Sequence, residues 1–211
     1  MVPYLILIWS LVGAFYPAVD LCAGEKERGT LETLLVSPAN RLQILLGKFG
    51  VIILTGILSA AVAVLGLFVA VQQAKTIPSE LLNAIYGIFE VQSILLILSL
   101  RLLLTVFFAA GLLSLSIFAK SFKEAQSLIS PLSFIVIVPV FIGMLPGITL
   151  NTTTALIPVL NVSLATKEII SGTIAPGLLA EEYASLFLLA ALSLCGCSRW
   201  FEREGTMFRS S

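Results

Sequence analysis

Five long apolar runs dominate the sequence, and they restrict what the chain can fold into. They cover residues 2–19, 43–71, 91–119, 128–145 and 179–198. A helix needs about 20 apolar residues to cross the hydrocarbon core of a bilayer, and a helix satisfies its own backbone hydrogen bonds in lipid. Only 11% of the residues are charged, against about a quarter in a typical soluble domain. We predict an all-α, polytopic membrane helical bundle, formed by a single transmembrane domain over residues 1–211.

The positively charged residues predict how this bundle is oriented. Cytoplasmic loops retain Lys and Arg, and nine of the twelve basic residues fall into one alternating set of connections. The opposite set holds Lys75 and Lys167, and Arg101 is assigned to neither set. We therefore expect five crossings, with the N-terminus outside and the C-terminus inside, in the cytoplasmic membrane of a bacterium. The nine residues are Lys26, Arg28, Arg41, Lys48, Lys120, Lys123, Arg199, Arg203 and Arg209.

The loop between the first two spans is the most polar part of the first half of the chain. Leu31, Leu34 and Leu35 recur at the spacing of one helical face, and the residue before Pro38 is disfavoured in a helix. A short amphipathic helix that stops at Ser37 is expected. Its acidic and basic residues balance, which fits a groove on a protein partner better than an anionic lipid surface. A solvated connector between two spans is the alternative.

Catalytic chemistry is not indicated anywhere in the sequence. The chain has no His, which excludes His-based triads and the usual His-ligated metal sites. Gly47-Lys48 is followed by Phe49 and lacks the earlier glycine of a phosphate-binding loop. Glu181-Glu182 is similar to the glutamate pair of an intramembrane protease family, but the required arginine is absent. We predict a non-enzyme with no catalytic residue, no metal and no cofactor. The net charge of +0 gives no reason to expect nucleic-acid binding.

Several features within the spans carry a structural and a functional interpretation. Arg101 would be costly inside a membrane, but Leu102–Ala119 is long enough to cross alone, so Arg101 is expected to reach the outer interface. No carboxylate is expected deep in the spans, so none points to a cation. Hydroxyl groups either line a sodium route or satisfy helix carbonyls; they belong to Thr55, Ser59, Thr105, Ser114 and Ser116. Small residues four apart in the second span predict a close helix contact; they form the pairs Gly56/Ala60, Ser59/Ala63 and Gly66/Ala70.

The external segment 146–178 contains Pro158 and a partly apolar helical pattern. It predicts a short interfacial or re-entrant pair of helices, although a plain surface helix is equally consistent with the pattern.

One motif resembles a known family. Residues 23–38 read AGEKERGTLETLLVSP and are followed by Arg41 and Leu46-Gly47-Lys48-Phe49. This run is similar to the cytoplasmic loop of type-two ATP-binding-cassette exporter permeases, closest to the sodium-extrusion branch. Weaker similarity continues, in the family's order, at residues 121–126, 157–161 and 201–204. The resemblance implies a permease that exports a sodium ion or a lipophilic drug, coupled to a separate ATPase subunit.

The same resemblance implies functional residues and partners. The loop 23–41 corresponds to the coupling helix that docks on the cytoplasmic ATPase. Its contact candidates are Glu25, Arg28, Thr30, Glu32, Leu34 and Leu35, with a second cytoplasmic contact at Lys123 and Glu124. A homo- or heterodimer of permease halves in membrane lipid is implied. The family usually has one more helix, and often an external domain, before the span 2–19; we therefore expect a fragment, a misassigned start or a short form.

Two other functions remain open on the sequence. A non-transporting membrane scaffold would anchor a complex without moving cargo. A passive channel would conduct without ATP. ATP-dependent flux in vesicles separates both from an exporter.

Overall fold

The computed structural model describes residues 2–35, 37–38, 40–73, 91–145 and 147–202. In this part of the chain the fold is all-α and contains no strand, which confirms the predicted fold class. A π-helical turn, Asp20–Gly24, joins the first two helices. The helices are α1 Val2–Val19, α2 Glu25–Glu27, α3 Thr30–Leu35, α4 Arg41–Gln73, α5 Val91–Phe118, α6 Phe122–Met144, α7 Thr152–Ala155, α8 Leu160–Ser171 and α9 Pro176–Glu202.

Five helical stretches of the described chain are long and apolar enough to cross a membrane, as predicted. Large apolar side chains on the outer faces of α4, α6 and α9 stay exposed, for example Leu58, Phe134 and Phe187. Such a surface is stable only where lipid replaces water. The five stretches are Leu7–Glu27, Leu42–Gly66, Gln92–Phe118, Phe122–Met144 and Pro176–Arg199.

The five spanning helices alternate in direction, so the bundle has two distinct ends. The first loop, residues 20–41, lies beside the end of α5 and the start of α6, and we call this the loop end. At the opposite end, the Tyr4 hydroxyl donates a 2.7 Å hydrogen bond to the carbonyl of Gly143. The described chain therefore begins at the opposite end and reaches the loop end at Glu202. Lys75, Arg203 and Arg209 lie outside the described residues.

α6 begins several residues before the predicted span at 128. Ser121 is its N-cap, and its hydroxyl accepts the backbone N–H of Glu124 at 3.2 Å. The Glu124 carboxylate in turn accepts the N–H of Lys120 at 2.7 Å. This reciprocal arrangement satisfies N–H groups that a helix start otherwise leaves unpaired, so residues 122–127 of the polar segment extend the helix instead of forming a loop.

The predicted small-residue face of the second span packs against another helix at Ser59, whereas Gly66 is exposed and the side chain of Ala70 lies outside the described residues. Gly13 of α1 lies directly against Ser59 of α4, and a Cβ built at Gly13 would lie 1.9 Å from the Ser59 hydroxyl oxygen. Gly56 and Ala60 on α4 are both buried. Small side chains let two helix backbones approach closely in lipid, where van der Waals packing drives association.

The segment after α6 packs against the spanning helices and is not a plain surface helix. α8 buries a continuous row of residues from Leu160 to Thr166. Thr173 donates its N–H to the Glu168 carbonyl at 3.0 Å, and Gly172 adopts φ 68°, which ends the helix. The Glu168 carboxylate accepts the N–H of Leu150 at 2.9 Å and ties this helix to the chain that leads into it.

Replacement of Gly13 by Ala is expected to destabilise the protein by about 1–3 kcal/mol, because the new methyl group would overlap Ser59. Gly50→Ala on α4 is the matched control, since a Cβ there meets nothing within 4 Å and Ala favours a helix by about 1 kcal/mol. Thermal unfolding of the purified proteins in detergent measures both changes. Equal stability of the two variants would contradict the close α1–α4 contact.

Candidate functional site

The first loop is built from three short helical pieces. The π turn buries Cys22, Ala23 and Gly24. α2 follows without a break, and Gly29 then adopts φ 71°, a conformation that residues with a side chain rarely adopt. α3 starts at Thr30, whose hydroxyl donates a 3.2 Å hydrogen bond to the carbonyl of Glu25. The predicted short helix therefore exists, but Gly29 separates it from α2.

Ser116 of α5 holds the π turn in place. Its hydroxyl accepts the N–H of Ala23 at 3.2 Å and donates to the carbonyl of Val19 at 3.3 Å. A π turn displaces backbone groups from the regular helical pattern, and a buried backbone group without a partner is costly. Ser116 is fully buried, so a single side chain satisfies both groups where water is absent.

Lys48 of α4 anchors the loop from the other side. Its ammonium group contacts the carboxylate of Glu25 and the carbonyl of Leu21. The Lys48 side chain is only 5% exposed and that of Glu25 is 21% exposed. Glu25, predicted as a contact for a partner, therefore points into the protein. A buried ammonium requires such a partner, because an uncompensated charge there is strongly unfavourable.

Two further charged residues attach α2 to the neighbouring spanning helices. The Glu27 carboxylate accepts the N–H of Phe122 at 2.7 Å, at the start of α6, where an anion also interacts favourably with the helix dipole. Lys26 donates to the carbonyl of Ile117 at 3.5 Å, at the end of α5. The rings of Tyr16 and Phe122 pack edge to face, with centroids 5.5 Å apart.

Arg28 closes the loop on its exposed side. Its guanidinium donates to the Asp20 carboxylate at 2.9 Å, and this hydrogen bond raises the pKa of Arg28. Gly24 is required between them, since a Cβ there would lie 2.4 Å from an Asp20 carboxylate oxygen. The pair is exposed, so it shapes the loop and contributes little to global stability.

The predicted contact residues do not all share one surface. Arg28, Thr30 and Leu34 are exposed, whereas Glu25 faces inward. The side chains of Glu32 and Leu35 lie outside the described part of the structure. Lys123 and Glu124 are exposed in the first turn of α6, beside the Phe122 N–H that Glu27 binds. The structure thus brings the first loop and the second predicted contact together at one end of the bundle.

Two of the five hydroxyl groups predicted inside the spans satisfy carbonyls of their own helix, the alternative to a sodium route. Thr55 donates to the carbonyl of Val51 at 2.9 Å, and Thr105 donates to that of Arg101 at 2.8 Å. These bonds are local to one helix, so they give no evidence of an ion path.

Arg101 does not reach an interface in the structure. Its side chain is 4% exposed and lies among α1, α4, α5 and α8. The expectation that it snorkels outward was wrong because neighbouring helices cover this face of α5. A guanidinium inside a membrane protein usually marks function.

Glu182 is a buried carboxylate near the start of α9. It lies inside the span Pro176–Arg199, is fully buried, and neither carboxylate oxygen accepts a hydrogen bond from the described residues. The sequence predicts no carboxylate deep in the spans, and its hydropathy does not reveal that this one is buried. Glu182, Leu186 and Ala190 are spaced four residues apart, so they share the inward face of α9. This periodicity is the sequence signal that could have predicted the burial of Glu182.

The fold defines a multi-pass helical membrane protein with a polar loop attached at one end. The family model described as "ABC-2 family transporter protein" matches residues 1–197, so the chain belongs to this family of ABC transporter permeases. One relative is the ABC transporter permease protein NatB of Bacillus subtilis (strain 168), 28% identical over 198 residues, which are 91% of this chain and 50% of NatB. The chain therefore spans about half the length of this curated relative. No solved structure matches it.

The buried pair of Glu25 and Lys48 predicts that removal of one charge strongly lowers the stability of the protein. Glu25→Gln should destabilise the protein by about 3 kcal/mol, because it leaves a buried ammonium without a counter-charge. Asp20→Asn, which removes the exposed partner of Arg28, is the control and should change stability little. Thermal unfolding in detergent measures both. The double variant Glu25→Gln/Lys48→Met should recover part of the loss, and no recovery would contradict direct coupling.

Glu182 predicts a gain in stability on substitution. Glu182→Leu should stabilise the protein by about 1–3 kcal/mol, since no hydrogen bond from the described residues compensates its desolvation. Glu181→Leu is the matched control, because Glu181 is exposed and its replacement should have little effect. Thermal unfolding at constant pH tests this prediction. A clear loss of stability in Glu182→Leu would show that the carboxylate has a favourable partner.

Proposed function

We propose that this chain is the membrane subunit of an ATP-driven exporter and that its first loop docks a separate ATPase subunit. The observation that carries the proposal is the attachment of this loop to four spanning helices. It continues α1, binds α4 through Lys48, α5 through Ser116, and α6 through Glu27. Arg28, Thr30 and Leu34 meanwhile face outward and are available to a partner.

This arrangement suits the transmission of movement. Each attachment uses a buried or charge-assisted hydrogen bond, and charge-assisted bonds are about twice as strong as neutral ones. A displacement of the loop therefore moves the ends of α4, α5 and α6 together. Members of the ABC-2 family work with a cytoplasmic ATPase subunit, and closure of its nucleotide sites would supply that displacement. The loop end is then cytoplasmic, which places the start of the chain outside.

The exposed residues of the loop determine which groups a partner would contact. Leu34 supplies an apolar contact, and Arg28 and Thr30 supply polar groups beside it. Lys123 and Glu124 extend the same face from α6. The resemblance to exporter permeases implies that a second permease half, as a homo- or heterodimer, completes the proposed membrane assembly.

The cargo of the proposed exporter is a sodium ion or a lipophilic drug. A scaffold subunit is the rival from another class. Both would form a stable complex with an ATPase, but only an exporter would move cargo when ATP is added to reconstituted vesicles.

The proposal predicts that Leu34→Asp lowers the amount of ATPase that co-purifies with the permease at least tenfold, the effect of losing an anchor worth about 2 kcal/mol. Leu156→Asp is the control, because Leu156 is also an exposed leucine but lies at the opposite end. ATP-dependent flux of sodium or of a lipophilic drug should fall with the association. Undiminished association of Leu34→Asp would remove the docking assignment. A stable complex with no flux of either cargo would favour the scaffold.

A further inference from the structure

A cavity of about 310 Å³ lies between α4, α5 and α8, within the depth of the spans Leu42–Gly66 and Gln92–Phe118. It belongs to the half of the bundle away from the loop end, since its residue Ala60 is about 28 Å along α4 from Arg41 at a rise of 1.5 Å per residue. An apolar cavity of about 150 Å³ stays dry and holds one benzene ring. The cavity therefore has room for about two fused rings.

The described lining of the cavity is aliphatic apart from Thr166 and Arg101, and the polar groups of both are engaged within the protein. The Thr166 hydroxyl donates to the Val162 carbonyl at 2.6 Å. The Nε and one terminal nitrogen of Arg101 are buried, and this residue already interacts with another group of the chain. Arg101 therefore contributes its hydrocarbon stem to the wall. A charged ligand would lose its hydration here without gaining a hydrogen bond, so the lining favours an uncharged ligand.

The outer rim of the cavity determines how a ligand enters. Leu65 and Leu98 form this rim and are 61% and 44% exposed. Both lie on spanning helices, so their exposed surfaces face the acyl chains of the bilayer. The cavity therefore opens sideways into hydrocarbon, and its ligand must first partition into the membrane.

A ligand competes with the acyl chains of the bilayer for this space. Neither gains a hydrophobic driving force on entry, because lipid tails are as apolar as the leucine walls. Conformational entropy separates the two. A flexible chain loses rotamer freedom when it is held in a cavity, whereas a fused ring system has no such freedom to lose. The cavity therefore favours a rigid molecule.

We propose that this cavity binds a rigid, uncharged hydrophobic molecule of about two fused rings, which enters from the bilayer. Binding requires only the cavity. The identification of such a molecule as cargo rests on the proposed function, and it then assigns the lipophilic class of cargo to this cavity in place of sodium.

Photolabelling in lipid nanodiscs tests the site. A naphthalene probe and a linear alkane probe of equal carbon number carry the same alkyl diazirine, and the labelled peptides are identified by mass spectrometry. Labelling at the exposed residues Phe134 and Phe187 gives the reference for the concentration of each probe in the bilayer. Relative to this reference, the naphthalene probe should label residues 60–65, 94–101 and 166–170 about tenfold more than the alkane probe, equivalent to about 1.4 kcal/mol. Equal relative labelling would overturn the proposal.

Competition tests the charge of the ligand. Unlabelled naphthalene in excess should suppress the labelling of the cavity. A naphthalene carboxylate, adjusted to the same concentration in the bilayer, should not suppress it, because the described lining offers its carboxylate no partner. Equal suppression by the carboxylate would overturn the assignment of an uncharged ligand.

Variants locate the effect in the cavity. Ala61→Phe places a ring in the space and should abolish the preference for the naphthalene probe. Val62→Phe is the matched control, since it adds the same ring at a neighbouring exposed position that does not line the cavity. Retention of the full preference in Ala61→Phe would overturn the proposal. If Ala61→Phe fails to fold, the comparison of probes in the wild-type protein decides.

The failure of this site and the failure of the proposed function are distinguishable. Labelling needs no ATPase, so loss of the preference in a permease that still co-purifies with the ATPase overturns the site alone. Where the preference is present, naphthalene should raise ATP hydrolysis by the complex in nanodiscs, and Ala61→Phe should abolish this rise. Preferential labelling with unchanged hydrolysis would support the binding site and exclude naphthalene as a cargo.

Discussion

The buried contact of Lys48 with Glu25 and the Leu21 carbonyl is the interaction on which the loop end of the structure depends. A charged ammonium in a nearly dry position is stable only if the loop brings it a carboxylate, so helix α4 and the first loop cannot separate without a large energetic cost. The same contact turns Glu25 inward and leaves Arg28, Thr30 and Leu34 as the outer surface. The exposed face of the loop is thus determined by the contacts that its inner face must make.

The spanning helices could be predicted from the sequence because length and apolarity alone decide whether a helix is stable in lipid. The start of α6 could not be predicted in this way, since hydropathy does not detect the helix cap that Ser121 and Glu124 form. The loop motif was also visible in the sequence, and the family match agrees with it. The direction in which each side chain points was not visible in the sequence. Glu25 turns inward only through its contact with Lys48, which is 23 residues further along the chain.

Arg101 and Glu182 show the same limit inside the membrane. Each seemed free to be near an interface when its helix was considered alone. Burial of both depends on neighbours distant in the chain: α1, α4 and α8 around Arg101, and α5 against the inward face of α9. Ionisable side chains that remain buried in this way are costly and usually have a function. They give a membrane bundle of ordinary composition its specific chemistry.

The first loop and the cavity lined by Ala60, Arg101 and Thr166 share helices, which provides a physical route between them. α4 carries Lys48 at the loop end and Ala60 at the cavity, separated by about 18 Å along the helix. α5 likewise carries Ser116 at the loop and Arg101 at the cavity, about 22 Å apart. Helices are stiff over such lengths, and packed interfaces rearrange between discrete states instead of deforming continuously. A tilt imposed on α4 and α5 at the loop would therefore change the separation of the cavity walls. Because α8 supplies the third wall, the other two walls would move relative to an element that the loop does not hold.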